Sequence, residues 1–169
     1  MKKTIQVLTL CVLCLALVSQ TYSQVQLPSL FADHMVLQQN FEAPVWGWAA
    51  PGTSINIRAD WTDKAIRVKA DKEGKWMTKI QTPEAGGPYT LTINEHTLEN
   101  VLIGEVWICS GQSNMAMTTS RTRDAKQEMA EATHPNIRLY SVPRGASGIP
   151  MTDVPGTWQV CAPGTVRGF

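Results

Sequence analysis

Apolar and polar residues alternate in short runs along the first half of the chain, and this period of two constrains the fold more than any other feature. The clearest runs cover residues 54–59, 66–70 and 89–93, and residues 76–80 follow the pattern more loosely. A period of two gives a strand one buried face and one wet face, as in an antiparallel sheet. Residues 24–100 are therefore predicted to form a small all-β module, either a sandwich or a jelly-roll-like fold.

The pattern changes after residue 100. Residues 101–109 are almost continuously apolar, which predicts a strand buried on both faces of a parallel sheet. Residues 124–133 have helical composition and are followed by a proline, and residues 136–142 resemble a second strand. This order predicts a βαβ unit, the opening of a doubly wound α/β sheet. Because one such unit leaves a sheet face uncovered, residues 101–169 are predicted to be the incomplete N-terminal part of a larger domain, irregular towards its end.

The first 23 residues have the pattern of an export signal. Lys2 and Lys3 precede an apolar run at 5–18, and small and polar residues lead to a predicted cleavage after Ser23. The run is shorter than the ~20 residues that span a bilayer, although an uncleaved anchor is the alternative. We therefore expect a secreted or periplasmic protein with no stable membrane anchor after signal cleavage.

Charge and cysteine content exclude some classes of partner. Without residues 1–23 the chain keeps 13 basic and 14 acidic side chains and shows no basic patch, so no nucleic-acid partner is expected. Cys109 and Cys161 remain, and they either pair in an oxidising compartment or stay as two buried thiols. The apolar run around Cys109 favours burial of its thiol. No Cys/His cluster has zinc spacing.

Ser113 is the candidate nucleophile. The predicted strand at 101–109 ends at the small-residue turn Ser110-Gly111, which would hold the Ser113 hydroxyl clear of the sheet. Met115 stands where the α/β-hydrolase elbow Gly-x-Ser-x-Gly has its second glycine, so that fold is disfavoured. From the residues alone, a serine that caps the following helix remains an equal alternative.

Several segments resemble the sialate O-acetylesterase family of the SGNH (GDSL-like) hydrolases. The longest is Gly-Glu-Val-Trp-Ile-Cys-Ser-Gly-Gln-Ser-Asn-Met at 104–115, and the segments at 27–39, 44–52, 136–140 and 157–161 also fit. The resemblance implies a carbohydrate esterase that removes O-acetyl groups from sugars, most specifically from sialic acid, with no metal or organic cofactor.

The resemblance also implies the roles of individual residues. Ser113 would be the nucleophile, its backbone N–H would be one oxyanion donor, and Gly111, Gln112 and Asn114 would support the motif. The catalytic His and Asp of the family, and two further oxyanion donors, come from later segments that this chain does not contain. Residues 24–169 alone are therefore expected to be inactive. The alternatives are an acetylxylan-type esterase and a secreted, non-catalytic carbohydrate-binding or structural module.

The three histidines offer no clear substitute for the missing base. His34 and His96 are expected to be structural or solvated. His134 forms an acid-x-x-His pair with Glu131, but it lies about three helical turns beyond the Ser113 turn, outside hydrogen-bonding reach. Metal binding by Glu131 and His134 is expected even less than a catalytic role for His134.

The tryptophans suggest either sugar stacking or a filled core. Trp46, Trp48 and Trp76 are predicted to fill the core of the β-module. Trp61, between Asp60 and Asp63, is predicted to be the exposed one.

Overall fold

The computed structural model describes residues 24–169, so the predicted export signal at 1–23 lies outside the described residues. The strands are β1 Val36–Gln38, β2 Glu42–Trp48, β3 Ser54–Ala59, β4 Ile66–Lys69, β5 Lys75–Gln81, β6 Gly86–Ile93, β7 His96–Gly104, β8 His134–Tyr140 and β9 Trp158–Cys161. One α-helix, α1 at Ala125–Glu131, and three short 3₁₀ turns, at Ser113–Ala116, Thr119–Arg121 and Val166–Gly168, complete the described elements. No helix in residues 24–169 is both long and apolar enough to cross a bilayer.

The first seven strands form two sheets. Five of them make a mixed sheet in the order β1-β7-β6-β3-β4, in which β1 runs parallel to β7 and the other neighbours are antiparallel. Strands β2 and β5 form a separate antiparallel pair. The alternating runs predicted at 54–59, 66–70, 76–80 and 89–93 all fall on strands, β3 to β6, which confirms these elements.

A single hydrophobic core joins the two sheets. Val45 and Ile80 from the β2–β5 pair belong to the same buried cluster as Ile55, Ile57 and Leu91 from the five-stranded sheet. Strands β2 and β3 bury every second residue, as expected for strands with one face towards a core. Burial of the apolar faces of both sheets against each other is the main source of stability for this part of the chain.

The strand predicted at 101–109 has different ends in the structure. β7 begins at His96 and ends at Gly104, where it pairs with β1 on one side and with β6 on the other. Residues 105–109 form no strand, and Trp107 and Ile108 are 83% and 91% exposed. The prediction of a buried strand there is wrong because β6 pairs with the chain only as far as Ile103 and β1 only as far as Gly104.

The predicted βαβ unit is not formed in the described residues. Helix α1 and strand β8 lie within a few residues of their predicted positions, but β8 pairs antiparallel with β9 and not with a parallel neighbour. Strand β9 lies in the Gly- and Pro-rich region for which irregular structure was predicted. A parallel βαβ pair needs a first strand with a free edge, and β7 already has a partner on both edges.

The β8–β9 unit is held against the rest of the chain through the segment that precedes β1. The Trp158 indole N–H donates to the Leu30 carbonyl at 2.9 Å, and the Ser29 N–H donates to the Asp153 carboxylate at 2.8 Å. Trp158 also packs against the main core cluster. The region of residues 24–35 therefore connects the β-sheets to the later part of the chain.

A second connection runs through Asn100, whose backbone is left-handed with φ 55°. The Arg138 guanidinium donates to the Asn100 side-chain oxygen at 2.9 Å, and the Asn100 amide group lies 2.8 Å from His34 Nδ1. Because a guanidinium only donates, the amide NH₂ must face His34, and His34 Nδ1 must accept. The other contact of the guanidinium is with the Pro135 carbonyl. Partial burial lowers the pKa of Arg138 from its usual value, so removing its partner would leave a partly desolvated charge.

We expect Asn100→Gly to lower the free energy of unfolding by about 1–2 kcal/mol, since it removes both side-chain hydrogen bonds but keeps a residue that tolerates positive φ. Asn40→Gly is the matched control, because Asn40 is also left-handed, with φ 49°, and is exposed, and its side chain makes no hydrogen bond within the described residues. Chemical denaturation of both variants measures the difference. Equal losses in the two variants would show that the Asn100 side chain contributes nothing beyond its backbone conformation.

Candidate active site

Ser113 lies at the start of an exposed turn. It is the first residue of the 3₁₀ turn Ser113–Ala116, which follows the unpaired segment after β7. Within the described residues neither its hydroxyl nor its backbone N–H makes a hydrogen bond. An accessible hydroxyl with a free N–H beside it is an arrangement that a serine nucleophile can use.

The residues around Ser113 shape this turn. The Met115 N–H donates to the Gln112 carbonyl at 3.0 Å, and the Met117 N–H donates to the Asn114 carbonyl at 3.2 Å. A Cβ at Gly111 would lie 2.7 Å from Met115 Cγ, so the missing side chain lets Met115 fold back over the turn. Gln112 and Asn114 are exposed. The roles assigned to Ser113 and its neighbours from the sequence remain predictions.

No hydrogen bond connects Ser113 with any of the three histidines in residues 24–169. His34 contacts Asn100, and His96 Nε2 lies 2.6 Å from the Val25 carbonyl oxygen, so both rings take part in contacts of the β-sheet region. His134 is the exposed first residue of β8 and lies opposite Cys161 in the sheet register. Glu131 accepts a hydrogen bond from Gln127 at 3.0 Å. The described residues therefore present a candidate nucleophile without a base in contact with it.

The exposure of one cysteine and of two tryptophans differs from the sequence prediction. Cys109 and Cys161 are both free thiols, with Cys161 buried and Cys109 exposed, so the expected burial of Cys109 is wrong. Trp61 is half-buried and packs edge-on against Tyr89 at a ring-centroid distance of 5.5 Å, so its predicted exposure is also wrong. The strongly exposed ring is that of Trp107. The exposure of both Cys109 and Trp107 follows from the end of β7 at Gly104.

Trp46, Trp48 and Trp76 were predicted to fill the core. Trp76 is 3% exposed, which confirms the prediction for this residue, while Trp46 and Trp48 are half-buried and Trp46 packs against the buried cluster. Within residues 24–169 no group of three or more His, Cys, Asp or Glu side chains is placed to hold a metal ion.

A polar contact at the base of the Ser113 segment was missed by the sequence analysis. Glu105 is the first residue after β7, and its carboxylate accepts from Gln38 Nε2 at 3.0 Å and from Gln39 Nε2 at 2.6 Å. The Val106 N–H donates to Gln38 Oε1 at 3.0 Å. Parallel pairing of Gln38 with Gly104 places these groups side by side. The only sequence signal was two consecutive glutamines at the end of the segment 27–39, which does not identify a partner 66 residues away.

The Glu105 contact should depend on pH. Hydrogen bonds from Gln39 and, next in size, from Gln38 hold the pKa of the Glu105 carboxyl below its ordinary value. A depressed pKa in the folded state means that the carboxylate contributes stability above the pKa of the unfolded chain, and that this contribution is lost as the pH falls through the folded-state pKa.

We therefore expect the stability difference between the wild type and Glu105→Gln to shrink as the pH is lowered from about 7 to about 3. Urea titrations at several pH values measure this difference. A difference that stays constant across the range would contradict the assignment of these hydrogen bonds to the ionised carboxylate.

A carbohydrate acetylesterase of known structure is similar to this chain. The crystal structure of a carbohydrate acetylesterase from Xanthomonas citri aligns with a TM-score of 0.80 at 33% sequence identity, over 86% of this chain and 34% of that chain. The fold of the described residues is therefore one that a carbohydrate esterase also has.

Proteins with similar sequences include sialate O-acetylesterases from mammals. The sialate O-acetylesterase of Mus musculus is 33% identical over 128 residues, and that of Homo sapiens is 32% identical over 130 residues. Each alignment covers 68% of this chain and 24% of the relative, so the chain spans about a quarter of the length of these proteins. No protein-family model matches the chain. The chain belongs to the sialate O-acetylesterase family and corresponds to the N-terminal portion of its relatives.

Proposed function

We propose that this protein is a carbohydrate esterase that removes O-acetyl groups from sugars through Ser113. The observation that carries the proposal is the identity of 33% over 128 residues with a sialate O-acetylesterase. The exposed hydroxyl of Ser113, placed at a turn that follows β7, supports its role as the nucleophile.

In the proposed reaction, the Ser113 hydroxyl oxygen attacks the carbonyl carbon of the acetyl ester while its proton passes to a histidine. The tetrahedral oxyanion is stabilised in part by the backbone N–H of Ser113, which has no hydrogen bond within the described residues. Collapse breaks the ester C–O bond, releases the sugar hydroxyl with that proton and leaves acetyl-serine. Water then hydrolyses acetyl-serine to acetate and regenerates the serine.

The histidine is proposed to come from outside residues 24–169, as the family resemblance implies. None of the described histidines contacts Ser113, and His34 and His96 have contacts elsewhere. We therefore propose that residues 24–169 alone do not turn over an ester. We also propose that residues 105–109, which expose Val106, Trp107 and Ile108, belong to an SGNH-type α/β sheet when the remaining segments are present.

The proposed substrate is O-acetylated sialic acid, with acetylated xylan as the second candidate. The protein is purified as its native host produces it, and the acetate released from each substrate is measured. Acetate release from either substrate supports the esterase and identifies the sugar class. Binding of the acetylated glycan without acetate release would support the non-catalytic module.

Export is a separate proposal, made from the pattern of residues 1–23. N-terminal sequencing of the protein from culture medium, periplasm and cytoplasm tests it. A chain that begins at Gln24 outside the cytoplasm supports export, and an uncut N-terminus in a membrane fraction would support the uncleaved anchor.

A further inference from the structure

The contact between Gln38, Gln39 and Glu105 is the last place where the β-sheet holds the chain before Ser113. In the part of the chain that the structure describes, residues 107–111 make no hydrogen bond, and the next one after Val106 closes the Ser113 turn. The direction in which residues 105–112 leave the sheet is therefore set where Glu105 and Val106 are held.

Backbone groups fix the orientation of both glutamine amides. Gln38 Oε1 accepts from the Val106 N–H at 3.0 Å, and Gln39 Oε1 accepts from the Ala85 N–H at 2.8 Å. An amide whose oxygen faces a donor must present its NH₂ group on the other side. The two NH₂ groups of Gln38 and Gln39 both meet the Glu105 carboxylate, one at each oxygen.

The backbone of the same residues adds a further restraint. The Gln39 N–H donates to the Gly104 carbonyl at 2.8 Å, so the peptide directly before Glu105 is also held. The last residue of β1 and the residue after it thus contact both the end of β7 and the first two residues beyond it. Hydrogen bonds to an ionised group are stronger than neutral ones, which makes the carboxylate the central group of this contact.

We propose that Gln38 and Gln39 are positioning residues which, through Glu105 and Val106, set the direction of the segment that carries Ser113. The proposal rests on the proposed function in so far as Ser113 is the nucleophile. The competing explanation is an ordinary exposed polar contact with no effect beyond its own side chains, as expected for most surface ion pairs.

The test compares three variants of the 169-residue chain. Glu105→Gln replaces one carboxylate oxygen with an NH₂ group, which then faces the NH₂ group of Gln38 or that of Gln39. The double variant Gln38→Glu with Glu105→Gln restores a carboxylate opposite an amide and keeps an acceptor for the Val106 N–H. Glu42→Gln is the matched control, because Glu42 forms an exposed contact with Lys79 at 2.9 Å in the β2–β5 sheet, and its side chain makes no hydrogen bond to residues 105–112 in the described part of the chain.

Hydrogen exchange of the peptide covering residues 105–112, read by mass spectrometry, is the first measurement. We expect the Val106 amide to exchange about fivefold faster in Glu105→Gln, the loss that corresponds to one hydrogen bond. Exchange should return to the wild-type rate in the double variant and remain unchanged in Glu42→Gln. Unchanged exchange in Glu105→Gln, or an equal increase in Glu42→Gln, would overturn the proposal.

The second measurement is ester hydrolysis by the same variants, each purified from the native host. We expect kcat to fall about 10- to 100-fold in Glu105→Gln with little change in KM, and to recover in the double variant. Faster exchange with an unchanged kcat would overturn the positioning role. A wild type without hydrolysis would overturn the proposed function instead, and the exchange rates would then decide alone whether the contact directs the segment.

Discussion

Replacing Ser113 with alanine is expected to lower acetate release by about 10³-fold or more, because the reaction loses the oxygen that forms the acetyl intermediate. The substitution removes one exposed hydroxyl from the start of a 3₁₀ turn and no hydrogen bond in the described residues. The free energy of unfolding should therefore change little while activity is lost. Initial rates with an activated acetate ester, measured on the protein from its native host, give the ratio.

Ser120→Ala is the control for this experiment. Ser120 is also exposed and lies seven residues further along, where its hydroxyl contacts the Thr118 hydroxyl at 2.9 Å. We expect this variant to keep wild-type activity. Hydrolysis that persists in Ser113→Ala would contradict the assignment of Ser113 as the nucleophile. A wild-type protein that binds the glycan but does not hydrolyse it would favour the binding module.

Replacing Ile57 with alanine is expected to lower the free energy of unfolding by about 3 kcal/mol, since it deletes buried methyl groups and leaves a cavity. Ile57 is 0% exposed, and in the five-stranded sheet it lies opposite Ile66 on one side and Ile93 on the other. Surrounding strands restrict collapse into the space that the substitution creates. Urea denaturation of the purified chain measures the loss.

Ile108→Ala is the matched control, because it makes the same chemical change in the segment that the sequence predicted to be a buried strand. Ile108 is 91% exposed in the structure, so the expected loss is below about 0.5 kcal/mol. A loss as large as that of Ile57→Ala would show that residues 105–109 are buried after all. The two variants thus test whether Ile108 is buried, as the sequence predicted, or exposed, as in the structure.

Much of the β-sheet region was predictable because strand periodicity is a local property. Runs such as 54–59 alternate in sequence and alternate in burial, since the side chains of a strand point to opposite faces. Helix α1 and strand β8 were also located within a few residues. The pairing of the strands was not predictable from the same runs. The parallel contact of β1 with β7, for example, joins residues 66 positions apart and leaves no periodic mark on either strand.

The candidate site was likewise predictable from the sequence only in part. A strand-like apolar run followed by a small-residue turn was enough to single out Ser113, and a long motif resemblance supported its role. The contact of Glu105 with Gln38 and Gln39 was not predictable, because three polar residues in two distant segments have no pattern that pairs them. Long-range side-chain contacts of this kind depend on the sheet register, which only the folded chain defines.

The sequence by itself determined the class of the first half, the position of the candidate nucleophile and the family resemblance, because all three are carried by short continuous segments. The tertiary structure alone decided where β7 ends and which residues of the apolar run after residue 100 are buried. An apolar run is compatible with burial against any neighbour, so its burial depends on which strands lie beside it. Here β6 pairs with the chain as far as Ile103 and β1 as far as Gly104, and the same run is exposed to solvent at Trp107 and Ile108.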